Sequence, residues 1–279
     1  MTPDSFSDGG KFLDPKKAVR RALEMIEEGA DIIDIGGESS GPGSVNVSLK
    51  DELKRVIPVV KALNARMKKM PAGLQGREKI LISVDTYKAE VAAQAVKAGA
   101  NMINDVTAFR GDPDMAKTLA KLNIPVVIMY SKDPSARTTR KNVRYKDVVK
   151  TVADFLRKQM SAGIKAGIKK ENLILDPGMG AFISADPKYS LQLLKRLLEL
   201  KKLGPLLVGA SRKGFIGQIL GTTKAGAGSA NAGSGPDDRL EGSLACAAIA
   251  TLNGASILRA HDVKETRRTV DMVYAIMNS

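Results

Sequence analysis

Short uninterrupted apolar runs alternate along the chain with longer stretches whose apolar positions recur every third or fourth residue. The first pattern is that of strands covered on both faces, the second that of helices with one buried stripe. Strands are predicted at Asp31–Gly36, Ile80–Asp85, Asn101–Val106, Pro125–Tyr130, Asn172–Asp176, Pro205–Gly209 and Ser256–Ala260. Helices are predicted over Pro15–Glu28, with Asp14 as N-cap and Gly29 as stop, and over Leu49–Lys69, Lys88–Lys97 and Asp112–Leu122. Four more follow, over Tyr145–Ala166, Pro187–Lys201, Arg239–Asn253 and Val263–Met277.

Repeated strand–helix units of this size specify a parallel sheet with helices outside it. The expected fold is α/β, a (β/α)8 TIM barrel formed as a single domain over residues 1–279. Such a barrel has a strand before its first helix. Here the loop TPDSFSDGG (Thr2–Gly10) stands in that place, so the first strand is missing from this chain and the natural chain is expected to start earlier. The Gly-, Ala- and Ser-rich stretch at 222–238 is expected to be a flexible surface insertion.

Composition changes this picture little. The 279 residues carry 44 Lys+Arg against 30 Asp+Glu, a net +14, and such a field draws polyanions. Aromatics are only 4%, and no zinc-finger, RNP or heptad spacing occurs, so a solvated lysine-rich surface is expected and no nucleic acid. The apolar runs fall far short of a membrane span, and no secretory signal pattern opens the chain. Cys246 is the one cysteine and is read as a buried residue of an apolar helix, which points to a cytoplasmic protein.

In a barrel of this class the chemistry gathers at the carboxyl ends of the strands. Those ends carry Glu38 and Ser40, then Asp85, Asn104 and Asp105, Met129, Asp176, the run Ser211-Arg212-Lys213, and finally Arg259, His261 and Asp262. Carboxylates with an amide suit the donor edge of a polar heterocycle, because ionised carboxylates only accept and an amide does both. Lys213, Arg259 and His261 make a cationic group suited to phosphate. A Ser–His–Asp hydrolase would have to use the single histidine, and no GxSxG elbow supports one.

The motifs TPDSFSDGG, DIGGESSGPGS, ISVDTYKAEV, INDV, LILDPGMG, LLVGASRKGFIG, RLEGSLACAAIA and RAHDVKET, in this order, closely resemble the dihydropteroate synthase family of pterin-binding barrels. The resemblance implies condensation of 6-hydroxymethyl-7,8-dihydropterin pyrophosphate with 4-aminobenzoate, releasing pyrophosphate in folate biosynthesis. It also implies Mg2+ as cofactor and a homodimer. By the same resemblance, Asp85, Asn104, Asp176 and Lys213 bind the pterin with Met129 packed against it, and Ser40, Arg259 and His261 hold the pyrophosphate. Phe6 and Pro42 shape the arylamine pocket, and Lys213, Arg259 and His261 are the expected catalytic groups.

The chain departs from the family pattern in four places. The Asn that positions the metal would lie just before Met1, so no metal ligand is named in this chain. The second loop reads Ser40-Gly41-Pro42-Gly43 where the family has Thr-Arg-Pro-Gly; the lost arginine leaves Lys132, Arg137 or Arg140 to replace it. Phe182 is displaced by one position, and Gly214 follows Lys213 where a serine is common. The alternatives are an inactive pterin-binding paralogue and a methyltetrahydrofolate-dependent methyltransferase on the same barrel.

Overall fold

The computed structural model describes residues 14–69, 80–221 and 236–279. Thr2–Gly10 with Phe6, and residues 222–235 of the expected insertion, lie outside the described residues. The chain clusters into two compact units. The first runs to Met129 and takes in Pro134–Arg137 and Lys158–Ile174; the second holds Tyr130–Asp133, Thr138–Arg157 and the chain from Leu175 on.

The first unit opens with α1 (Pro15–Glu28). Asp14 caps it by accepting the Lys16 N–H at 2.9 Å, and Gly29 ends it in the left-handed region at φ 117°. Ala18, Val19, Ala22 and Ile26 form its buried stripe. Then follow β1 (Ile32–Gly36), α2 (Leu49–Met67), β2 (Leu81–Asp85), α3 (Ala89–Ala98), β3 (Met102–Asp105), α4 (Met115–Leu122) and β4 (Val126–Met129). These strands pair in parallel with Ile35 opposite Val84, Val84 opposite Ile103, and Asn104 opposite Val127. Every residue of β3 and β4 is buried, as expected for strands covered on both faces. Next come α5 (Val148–Lys165) and β5 (Leu173–Asp176), and the sheet order is β1-β2-β3-β4-β5.

In the second unit, α6 (Pro187–Lys195) and α7 (Leu197–Lys201) precede β6 (Leu207–Val208) and α8 (Gly214–Ile219). The chain ends with α9 (Leu240–Leu252), β7 (Ile257–Leu258) and α10 (Val263–Met277). β6 pairs in parallel with β7, and Leu175 bridges to Leu206.

All seven strands occur where the apolar runs predict them. The helices differ at particular points. The helix expected over Pro187–Lys201 breaks at Arg196, whose guanidinium holds Asp147 at 3.1 and 3.2 Å and Glu199 at 2.7 and 2.9 Å. α5 starts at Val148 because Tyr145 is engaged elsewhere: its N–H goes to the Tyr189 hydroxyl and its own hydroxyl to the Ile183 carbonyl. α4 starts at Met115 because the Asp112 carboxylate is spent on the N–H groups of Ala89 and Asp114. α8 was not expected; its six residues lie inside a motif read as loop. Pro236–Arg239, at the end of the expected insertion, forms a 3-10 turn. Cys246 is half-buried rather than buried, and desolvation pushes its thiol up to about 11.

Candidate active site

In the first unit three strands deliver polar side chains to one place. Asn104, near the end of β3, is 5% exposed, and its Nδ2 donates to Asp34 Oδ2 on β1 at 3.3 Å. The other oxygen of Asp34 accepts the Ser83 hydroxyl of β2 at 2.7 Å; Asp34 and Ser83 are register partners. Asn104 Oδ1 is buried and has no hydrogen-bond partner in the protein. A buried acceptor left unmade costs about 1–3 kcal/mol, so such an atom marks a place where a donor, from water or a ligand, is due.

Asp85 ends β2 and lines a pocket with Glu38, Ser40, Glu52 and Tyr87. The loop bearing Ser40 and Pro42 is brought close to α2 by Gly37, where a Cβ would meet Glu52 Cγ and Val56 Cγ2 at 2.8 Å each. Ser44 closes this loop by donating to the carbonyls of Ser39 and Gly41. Beneath it Lys88 Nζ donates to Glu38 at 2.6 Å, Glu52 at 2.5 Å and the Val47 carbonyl at 2.7 Å. Glu52 is fully buried and also accepts the Thr86 hydroxyl at 2.7 Å.

Arg137 pairs with Glu38 and donates to the Val45 carbonyl at 3.2 Å and to Asn46 Oδ1 at 3.0 Å, while its buried Nε has no partner. It therefore rests against the loop that carries Ser40 and Pro42. Asp105 is not part of this constellation: its carboxylate accepts the N–H groups of Thr107 and Phe109 and the Thr107 hydroxyl, and so shapes the following turn. Burial raises its pKa. Met129 closes β4 as a buried side chain.

The second unit presents charge instead. Asp176 at the end of β5 is 7% exposed and accepts the Gly178 N–H at 2.7 Å. Gly178 sits at φ 70°, and a Cβ there would fall 2.4 Å from the Tyr130 carbonyl, so the turn requires glycine. Burial pushes the Asp176 carboxyl up to about 6, although Lys213 and Arg259 pull the other way. Lys213, after β6, donates to the Met179 carbonyl at 3.1 Å and lies 5.0 Å from the centre of the Phe182 ring. Burial lowers its ammonium to about 8, against the attraction of Asp176 and with the repulsion of Arg259. Asp176, Lys213 and Arg259 thus feel one another's charge. Phe182 meets the lysine. Lys132 is spent: its ammonium goes to Asp133, Thr138, and the carbonyls of Thr139 and Ala181.

The loops after β6 and β7 are zipped together. Ser211 Oγ accepts the His261 N–H at 3.2 Å and contacts His261 Nδ1 at 3.1 Å. Which of the two donates in the Ser211 Oγ–Nδ1 contact follows the tautomer of the ring. Arg212 Nε donates to Asp262 Oδ2 at 3.0 Å, and its carbonyl accepts Arg239 at 2.8 Å. Arg212 holds φ 57°, a left-handed conformation costly for a non-glycine residue and typical of functional turns. This turn places Lys213.

The sequence reading missed Asp34 and Ser83, which sit inside apolar strands, and the Arg212–Asp262 and Lys88–Glu52 pairs, whose partners are far apart in the chain. Among the described residues, no group of three or more His, Cys, Asp or Glu side chains is placed to hold a metal ion. No described helix is long and apolar enough to cross a membrane.

A family model described as pterin binding enzyme matches residues 1–261. The dihydropteroate synthase of Clostridium beijerinckii is 40% identical over 279 residues, covering 99% of this chain and 91% of its own. The Xanthomonas albilineans dihydropteroate synthase with 4-aminobenzoic acid superposes with a TM-score of 0.84 at 39% identity, covering 100% of this chain and 90% of that one. The same organism's enzyme in complex with 7,8-dihydropteroate gives 0.80 at 38% identity, covering 99% and 90%. This likeness carries the fold class: α/β with parallel strands, of the TIM-barrel kind.

Proposed function

The chain belongs to the dihydropteroate synthase family of pterin-binding enzymes, transferases of folate biosynthesis, and we propose that its two polar clusters carry that reaction. The CH2–O bond of 6-hydroxymethyl-7,8-dihydropterin pyrophosphate breaks, and its electron pair leaves with the pyrophosphate. The 4-aminobenzoate nitrogen forms the new C–N bond and loses a proton, giving 7,8-dihydropteroate.

Asp85 and Asn104 are the pterin-reading groups of the first unit, with Met129 for the ring's face; Asp176 and Lys213 are those of the second. Asp176 ionised and Lys213 protonated supply an acceptor and a donor of opposite charge in desolvated surroundings, where each is worth more than in water. Arg259 and His261 are the second unit's groups for the departing pyrophosphate, and the Ser40 hydroxyl is the first unit's. Lys213 adds positive charge as the negative charge develops. Pro42 shapes the arylamine side, and Arg137 replaces the second-loop arginine. Mg2+ usually keeps company with substrate phosphates and one or two carboxylates. We keep it as the companion of pyrophosphate and assign no residue to it.

The buried, unpartnered Asn104 Oδ1 is the observation that carries the pterin assignment. The test is pyrophosphate release from dihydropterin pyrophosphate with Mg2+, with and without 4-aminobenzoate. Release that requires the arylamine is expected. Pterin binding without any arylamine-dependent release would overturn the assignment and leave a binding paralogue.

A homodimer is the second element of this reading. α9 and α10 pack on each other yet leave Ile249, Leu252, Met272, Tyr274, Ile276 and Met277 exposed, a patch that a second copy would cover. Light scattering is expected to give twice the 29.7 kDa chain mass. A monomer at micromolar concentration would contradict it.

A further inference from the structure

Asn104 can present either its oxygen or its NH2 group to a ligand, and an unconstrained amide offers both. Two neighbours remove that freedom. The Nδ2 group donates to Asp34 Oδ2 at 3.3 Å, while Asp34 Oδ1 accepts from the Ser83 hydroxyl at 2.7 Å. Flipping the amide would set its oxygen against a carboxylate oxygen, two acceptors face to face. Ser83 is 2% exposed and on the strand between the other two, so it holds the carboxylate in the plane that Asn104 needs. The outcome is visible at the far end of the chain of bonds, where Oδ1 is buried and unpartnered.

We propose that Asp34 and Ser83 are positioning residues that lock the Asn104 amide as an acceptor and thereby make this part of the site select a ligand N–H over any group without one. The inference rests on the pterin reading above and deepens it. Its physical basis is asymmetric: a site built to accept one hydrogen bond rejects a ligand lacking the donor far more strongly than an apolar pocket rejects a methyl group. The charge on Asp34 matters because only an ionised carboxylate is acceptor-only; an amide in its place tolerates both orientations of Asn104.

Calorimetric titration of the whole chain with 6-hydroxymethyl-7,8-dihydropterin, and with analogues methylated at each N–H in turn, tests this. Five proteins are compared: wild type, Asn104→Ala, Asp34→Asn, Ser83→Ala and Ser83→Thr. The N–H at which wild type discriminates and Asn104→Ala does not is the one that Asn104 reads. At that N–H, Asp34→Asn is expected to lose about tenfold in discrimination, the worth of one charge-oriented hydrogen bond. Ser83→Ala loses less in the same direction, Ser83→Thr keeps the hydroxyl and the discrimination, and the other N–H positions change by no more than about twofold. A merely structural role lowers affinity for all ligands alike. Asp34→Asn and Ser83→Ala proteins that keep wild-type discrimination at that N–H would therefore overturn the proposal, however far their overall affinity falls. If Asp34→Asn does not fold, Ser83→Ala and Ser83→Thr decide. A wild-type protein that binds no dihydropterin at all would overturn the functional reading and this inference with it.

Discussion

The polar cluster of the first unit and that of the second solve the same problem by different means. In the first, Asp34, Ser83 and Asn104 stand on three adjacent strands and are aligned by hydrogen bonds within the sheet. In the second, Asp176 ends β5 while Lys213, Arg259 and His261 stand on loops, and those loops are fixed by Ser211–His261 and Arg212–Asp262 across them. The first cluster offers an acceptor whose orientation is set and whose charge state is not at issue. The second offers groups whose protonation is displaced toward neutrality by burial: Asp176 upward and Lys213 downward. Strand-borne groups suit recognition of a fixed shape, and loop-borne charges suit the part of the substrate whose charge changes during reaction.

Removing a loop-borne charge should do the most damage. Lys213→Ala is expected to lower kcat/KM by about 100- to 1,000-fold, as removing a group that stabilises developing charge does elsewhere. Steady-state kinetics checks this, and a loss as small as that of a peripheral lysine would break the division of labour. Next comes the zip. Asp262→Asn weakens the hold on Arg212, which is strained and half-buried, and should lower stability by about 2 kcal/mol. Denaturant unfolding measures it, and unchanged stability would show that the loops hold without the pair. The smallest effect is expected at Arg137→Ala. Its side chain is 26% exposed, and Glu38 keeps Lys88 and Tyr87 as partners, so stability should fall by less than about 1 kcal/mol. The KM for 4-aminobenzoate should rise about threefold by the same reasoning, and a loss of kcat/KM larger than that of Lys213→Ala would reverse the order.

What could be read from the sequence follows from the same contrast. An Asp, Asn or Lys at or just after the end of an apolar run is conspicuous, so the places of Asp85, Asn104, Asp176 and Lys213 along the chain were legible, as were all seven strands. Asp34 and Ser83 were not, because a polar residue inside an apolar run is indistinguishable there from an ordinary strand residue until its cross-strand partner is known. The zip escaped for a different reason: Arg212 and Asp262 are 50 positions apart, and nothing local marks them as partners. Helix ends failed where a side chain had other work, as at Asp112 and Tyr145, and the break at Arg196 depends on Asp147, again 49 positions away. α8 is too short for periodicity to reveal.

The pH dependence of dihydropterin affinity tests the contrast most directly, measured from about pH 5 to about pH 9 on wild type, Asn104→Ala and Asp176→Asn. Asp176 must be ionised to accept, so affinity rises as pH passes about 6; Lys213 must be protonated to donate, so it falls as pH passes about 8. The sign for ligand-free stability is the reverse on the acid side: because the folded carboxyl holds its proton more tightly than the unfolded one, stability drops between about pH 4 and about pH 6. The account predicts that Asn104→Ala lowers the whole curve without changing its shape, while Asp176→Asn removes the acid limb and moves the basic limb to lower pH, because the carboxylate that holds Lys213 protonated is gone. An acid limb that survives in Asp176→Asn, or that disappears in Asn104→Ala, would contradict it.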